Sequence, residues 1–343
     1  MSKKELGQFY TTNYEKILNG MSIPEWANKI IEPFAGSCEL LKFVPENKRE
    51  NVLCYDISPP AIHQHKVIER DTLLDPPDYT NFFILTNPPY LARNKSKNKI
   101  VYEKYNQNDL FKCFIKNLIE NISEGGILIV PLNFFSSIRK SDTDLRKKFL
   151  SEYRIELINI FEEKIFDDTG YTVCSFQFIR QNNQENIPIK VMVYRDGSQK
   201  LITVELNEAN NYTIGGELYN LSANTKYKIG RLVGDEEANT NIFVKCIDDS
   251  VHNKICMKIV DDDEIYRDST EKSSARSYLT LTISPNITKN KQKKIVEKFN
   301  TFLSDARDKY DSLFLTNYRE GGRKRISFEL IYNIVKHILI QKF

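Results

Sequence analysis

Phe82-Phe83-Ile84-Leu85-Thr86-Asn87-Pro88-Pro89-Tyr90 is the stretch on which the reading of the fold turns. Four consecutive apolar residues and a threonine, stopped by two prolines, describe a short buried strand with an abrupt end. Asn87 to Tyr90 therefore follows a strand's carboxyl end, where open α/β sheets bind their ligands. On either side lie further apolar runs, at 28–34 (NKIIEPF), 51–57 (NVLCYDI), 126–132 (GILIVPL) and 155–161 (IELINIF). Between them, 109–122 (DLFKCFIKNLIENI) repeats its apolar residues at three and four, the period of a helix packed on one face. This alternation predicts an α/β protein with an open, mainly parallel sheet covered on both sides. Phe166 to Ile179 reads as an antiparallel hairpin with TVCSFQFI as its apolar strand.

The residues after the central strand carry a specific chemistry. An aromatic amine such as adenine N6 is a poor nucleophile, because its lone pair is delocalised into the ring. The Asn87 side-chain oxygen and the Pro88 carbonyl can each accept one of its N–H bonds, localising and aiming that pair. Pro88 and Pro89 stiffen the loop, and Tyr90 offers a flat face for a base drawn out of a duplex. Such stacking is worth roughly 1–3 kcal/mol, against the few kcal/mol that unstacking costs. Two other double prolines, Ser58-Pro59-Pro60-Ala61 and Asp75-Pro76-Pro77-Asp78, lack an aromatic in fourth place and read as turns.

A second signal is Glu32-Pro33-Phe34-Ala35-Gly36-Ser37-Cys38, a small-residue turn that lets backbone approach a ligand closely. Asp56 ends the next strand, where a carboxylate can take both hydroxyls of a ribose. Asp71, in Arg70-Asp71-Thr72-Leu73, follows a third short run and is placed to accept from an adenine amine. Three such features in order, each ending a strand, describe a nucleoside-type site.

In this order the segments resemble the amino-methyltransferases of restriction–modification systems, in the subgroup with the cofactor motif first and the recognition domain last. The resemblance covers about the first 180 residues. It implies a Rossmann-like, S-adenosylmethionine-dependent methyltransferase sheet and a mixed α+β target-recognition domain after it. Gly7-Gln8-Phe9-Tyr10-Thr11-Thr12 looks like the motif at the cofactor's methionine end, which assigns Tyr10 and Thr11. Glu32, Phe34, Ala35 and Gly36 match the cofactor turn. Asp56 and Ile57 match the ribose and adenine pair, Asp71 and Thr72 the adenine edge, and Phe111 the aromatic over the adenine. Asn87, Pro88, Pro89 and Tyr90 match the catalytic motif in full, and asparagine in first place implies adenine. The stretch 145–179, including Phe166, also resembles the family. An ungapped reading there puts the second base-stacking aromatic at Phe178, with Phe176 on the same face. Cys38 departs from the pattern, since the family usually has glycine there. Rival readings within the same chemistry are an RNA adenine-N6 methyltransferase and a protein glutamine-N5 methyltransferase; the latter usually carries its extra domain before the catalytic one.

The polar run 181–186 (QNNQEN) marks a linker between a catalytic domain at 1–183 and a recognition domain at 187–343. In the second half, IPIKVMVY, KLITVEL, NIFVKCI and SYLTLTI read as strands, and segments near 290–310 and 327–342 as helices. Double-stranded DNA is the implied partner, with a cognate restriction endonuclease as a possible second. Candidate phosphate contacts are the basic run 289–294 (KNKQKK) and Arg319, Arg323, Lys324 and Arg325, which flank a Gly-Gly pair. A net charge of +3 neither requires nor excludes nucleic acid. The six cysteines are scattered with no CxxC pair, and His63 and His65 have no partnering ligand pattern. Reduced thiols, no metal, no membrane and a cytoplasmic location are the expectation.

Overall fold

A computed structural model describes residues 7, 11, 13–59, 65–166, 172–181, 187–195, 197–249, 254–269, 277–319 and 323–340. The chain divides into two compact units, Met1–Phe135 with Arg139–Glu205, and Ser136–Ile138 with Leu206–Phe343.

The first unit is built on a nine-stranded sheet. Its strands are β1 (Ile30–Glu32), β2 (Val52–Asp56), β3 (Val67–Glu69), β4 (Phe83–Thr86), β5 (Gly125–Pro131), β6 (Tyr153–Phe161), β7 (Val173–Arg180), β8 (Ile189–Arg195) and β9 (Ser198–Val204). Their spatial order is β3-β2-β1-β4-β5-β7-β6-β8-β9. β1 to β5 run parallel, and β7 is inserted antiparallel between β5 and β6. This is an open, mainly parallel, Rossmann-like α/β sheet, as the sequence predicts. β4 up to its closing Thr86 and the middle of β5 are apolar because they are covered on both faces: Phe83, Ile84, Ile127, Leu128, Ile129 and Val130 are fully buried. Helices α1 (Tyr14–Ile17), α2 (Ile100–Tyr105), α3 (Leu110–Glu120), α4 (Asn133–Ser136) and α5 (Lys140–Glu152) belong to the same part of the chain. On α3, Phe111, Phe114, Ile115 and Leu118 form the buried stripe that the helical period announced.

Two details differ from the sequence reading. The strand TVCSFQFI does pair antiparallel, but its hairpin partner is β6, so the hairpin begins well before Phe166. β8 and β9, read from sequence as the start of the second domain, extend the first sheet instead. β8 lies parallel beside β6, and β9 pairs antiparallel with β8. The compact units consequently part at Glu205/Leu206 rather than between 183 and 187. The strands on either side of the run 181–186, β7 and β8, belong to one sheet.

The second unit holds a four-stranded antiparallel sheet, β10 (Lys228–Arg231), β13 (Tyr278–Ser284), β11 (Ile242–Lys245) and β12 (Cys256–Ile259), in that spatial order. Its inner face, with Ile242, Val244, Met257, Leu279 and Leu281, is buried with two helices. These are α6 (Lys289–Tyr310), capped by Thr288, and α7 (Phe328–Ile338), capped by Ser327. A separate two-stranded ribbon joins β14 (Thr316–Arg319) to β15 (Arg323–Arg325). The mixed α+β character predicted for this half is present.

Candidate active site

Strands β1 to β5 all end at one edge of the sheet. Strand order reverses between β1 and β4, which lie side by side while β2 and β3 spread to one side and β5 to the other. A crevice forms at such a switch point. Glu32 closes β1 and the turn after it carries Pro33 to Gly36, while the loop after β4 carries Asn87 to Tyr90.

The β1 turn is clamped to β2. Ala35 N donates to Tyr55 O at 2.8 Å, and Gly36 N donates to Asp56 Oδ2 at 2.8 Å. Ser58 N donates to the other carboxylate oxygen of Asp56, also at 2.8 Å. Asp56 is therefore oriented by backbone on both oxygens, each of which retains a second lone pair by its chemistry. Gly36 has φ +48° and Cys38 has φ +57°, so the turn passes twice through the left-handed region. That geometry is the physical reason for glycine at position 38 in the family pattern. Glu32 is 2% exposed, and its Oε2 is buried with no hydrogen-bond partner among the described residues. Burial, with Cys38 and the Asp56 carboxylate nearby, pushes the Glu32 carboxyl well above its ordinary range.

The other predicted cofactor residues fall into two groups. Ile57 is exposed beside Asp56, and Phe34 is half-buried with its ring edge-on to Phe114 at 5.0 Å. Thr72 instead turns inward: its hydroxyl donates to Pro33 O at 3.0 Å, tying the third strand's exit to the cofactor turn. Asp71 Oδ1 accepts from Leu73 N and Leu74 N, at 3.1 and 3.0 Å, and so fixes its own loop. Tyr10 lies outside the described residues.

The Asn87–Tyr90 loop is held from several directions. Tyr90 N donates to Gly7 O at 2.9 Å, and a Cβ at Gly7 would lie 2.8 Å from Tyr90 O, so only glycine permits this approach. Asn87 Nδ2 donates to Thr11 Oγ1 at 3.2 Å. The Tyr90 hydroxyl donates to Asn87 Oδ1 and lies 2.7 Å from Ile129 O. The predicted N-terminal and catalytic motifs thus meet. Tyr90 is only 4% exposed, edge-on to Phe111 at 6.2 Å, so the stacking face expected from sequence is covered in this state. Burial raises its phenol above the ordinary range. Pro88 is buried, and its carbonyl accepts no hydrogen bond among the described residues. Behind α3, Lys112 pairs with Asp142 at 2.7 Å, and burial lifts the neighbouring Asp109 carboxyl to about 6.

Phe178 does not reach this edge. In β7, Val173 pairs with Pro131 at the catalytic end of β5, while Phe178 pairs with Gly126 near its start. Phe178 is fully buried against Tyr153 (4.9 Å) and Phe149 (5.2 Å), and its Cζ would lie 2.9 Å from a Cβ at position 126. Phe176 is equally buried, sandwiched by Phe134 and Phe135. Both are core residues. An aromatic that does lie beyond this end of β6 is Phe166, 3% exposed. The antiparallel hairpin was itself the signal, since residues nearest its turn lie nearest that edge.

In the second unit, Arg319 and Arg323 are Cα partners on the ribbon, and Arg325 lies opposite Thr316. Lys324 is 6% exposed, which removes it from the candidate phosphate contacts. Lys289 and Lys293 are exposed at the start of α6.

With this geometry in place, residues 63–166 match the family model described as Eco57I restriction-modification methylase. In this segment the chain resembles a restriction-modification methylase. The methylase-like segment holds Asp71, Thr72, Asn87 to Tyr90, Phe111 and Phe166, whereas Glu32 to Gly36 and Asp56 precede it. No curated protein matches the chain. Among solved structures, a type I restriction-enzyme modification subunit from Vibrio vulnificus YJ016 is similar at 13% identity and TM-score 0.41, over 57% of this chain and 49% of that one. A type I methyltransferase subunit from Streptococcus thermophilus is similar at 15% identity and TM-score 0.40, over 56% and 50%. The M protein of the type I enzyme EcoKI is similar at 15% identity and TM-score 0.38, over 84% and 69%. The chain thus spans about half the length of the first two. No helix among the described residues is long and apolar enough to cross a membrane.

Proposed function

We propose that the chain is a DNA methyltransferase of the restriction–modification type, acting on the N6 amine of an adenine turned out of duplex DNA. One observation carries the reading. The turn after β1 and the Asn87–Tyr90 loop after β4 flank the switch point of the sheet, with Asp56 at the adjoining strand end. The donor set fits S-adenosylmethionine, which carries cationic and diol groups. Asp56 is an oriented carboxylate at β2's end, and the buried Glu32 Oε2 lacks a partner. Bound there, the cofactor would supply an electrophilic methyl.

The chain's own residues do the rest. Asn87 Oδ1 exchanges the Tyr90 hydroxyl for one N–H of the adenine amine, and the Pro88 carbonyl accepts the other. Tyr90 swings its ring face toward the base, and Phe166 covers the opposite side. The methylated amine is strongly acidic and loses its extra proton to solvent, so no tuned general base is required. The second unit serves as the recognition domain, and a cognate endonuclease is the natural companion.

The test is methylation of mixed-sequence duplex DNA, followed by digestion and mass spectrometry of the nucleosides. N6-methyladenine should form with the native chain. Asn87→Ala should lose it by at least about 100-fold, the scale of a lost transition-state hydrogen bond, while cofactor affinity holds. Activity surviving in Asn87→Ala would reject the site. Methyl transfer only to RNA adenine or a glutamine amide would replace the substrate.

A further inference from the structure

The second unit gathers positive charge at one end of its sheet that its own packing leaves unused. β10 is an edge strand, paired with β13 alone among the described residues. Its register sets Lys228 opposite Ser284, the last residue of β13, and the short turn after Ser284 leads into α6 at Lys289. Two basic segments distant in the sequence, 226–228 (KYK) and 289–294 (KNKQKK), thereby meet. Lys291 Nζ donates to the Tyr227 hydroxyl at 2.9 Å and lies 4.9 Å from the centre of its ring. That bond, with the charges of Lys291 and Lys226, holds the Tyr227 phenol below its ordinary range. Gln292, 5% exposed, anchors the same stretch of helix, its side-chain oxygen accepting from Asn241 N at 2.9 Å. Lys226, Lys228, Lys289 and Lys293 take no part in this anchoring. All four are exposed, and none makes an ion pair among the described residues. Neither 218–231 nor 278–296 contains an acidic residue. The arrangement costs stability. Lys289 and Lys293 share a helix face one turn apart, where like charges repel, and cations in the first turns oppose the helix dipole.

We infer that this end of the second unit, where β10 meets the start of α6, is the surface that seats the phosphate backbone of the duplex, with Lys226, Lys228, Lys289 and Lys293 as its contacts. The inference rests on the proposed DNA methyltransferase function. A polyanion laid across the four ammonium groups relieves their mutual repulsion, and the counterions it sheds add to affinity. Lysine suits a contact of this kind. Its compact charge on a flexible stem follows a phosphate wherever the strand places it, whatever the bases. Such contacts fix register and orientation and leave sequence to be read elsewhere. Lys258 supplies an internal contrast: it is exposed on β12, at the opposite edge of the same sheet, and lies over the Phe243 ring at 5.4 Å.

The experiment uses the full chain with S-adenosylmethionine and mixed-sequence duplex DNA across a salt series. Lys228→Ala, and Lys289→Ala combined with Lys293→Ala, should raise KM for DNA several-fold with kcat unchanged. The slope of log affinity against log salt should shrink by about 1 for each lysine removed. Arginine at the same positions should restore the slope, and Lys258→Ala should leave it where it is. Cofactor affinity, measured by calorimetry, should not move. If the native chain methylates DNA and the alanine variants keep its KM and slope, the four lysines are ordinary solvated surface and the inference falls. It falls equally if Lys258→Ala matches their loss. A native chain that leaves DNA unmethylated overturns the functional reading, and the role of this surface with it.

Discussion

Glu32 is the residue at which charge and burial conflict most sharply. Its carboxyl is enclosed, lacks a partner on one oxygen and faces Asp56, so it holds its proton to higher pH than an ordinary carboxylate. A cation arriving beside it reverses that preference. Its pKa in the complex then falls below its raised value in the free protein, so binding expels a proton in the interval between them. Cofactor affinity should therefore climb as pH rises through that interval and level off above the raised pKa. Calorimetry in two buffers of different ionisation enthalpy should register this proton release, and Glu32→Gln should abolish it. Identical heats in both buffers would show that Glu32 does not meet the cofactor's cation. Residues of this kind were legible in sequence because a strand end followed by a small-residue turn has few uses. What sequence could not convey was orientation. Thr72 and Asp71 were assigned to the ligand, yet their side-chain bonds described here brace the loops that shape the site. Cys38 shows the converse, a departure that the structure accommodates at φ +57°, a conformation costing a non-glycine residue roughly 1 kcal/mol.

At the scale of elements, strand direction decides which aromatic can act. β7 runs away from the catalytic edge, and each further residue carries its side chain deeper into the molecule. Phe178→Ala should consequently cost about 3–5 kcal/mol of stability by opening a cavity beside Tyr153 and Phe149. Methylation by the fraction still folded should be unchanged. Phe166→Ala should do the opposite, lowering kcat on DNA with a smaller loss in denaturant midpoint. Chemical unfolding alongside single-turnover kinetics separates the two, and a kinetic defect confined to Phe178→Ala would restore the ungapped reading. Periodicity located β4, β5 and α3 well, since each buries a run or stripe of apolar residues. It could not tell which of two phenylalanines, both apolar and both buried, lies near an edge, because that depends on pairing partners distant in the chain.

At the scale of the whole molecule, the class of both halves was readable, whereas the place where one ends was not. A polar hexapeptide looks the same whether it links two domains or two strands of one sheet. β8 alternates Ile189, Val191 and Val193 inward with Lys190 outward, which would suit either sheet, and only pairing with β6 assigns it. That assignment matters to anyone dividing the protein. A fragment ending at residue 183 strips away β8 and β9 and leaves β6, nine residues long, with one row of backbone N–H and C=O groups open to solvent. Long unprotected strand edges recruit other chains. Such a fragment should scatter light and elute as large species, whereas one ending at Glu205 should remain monodisperse. Soluble behaviour of both would mean that β6 is shielded by other means. The last two strands of the sheet thus act as a built-in guard against self-association.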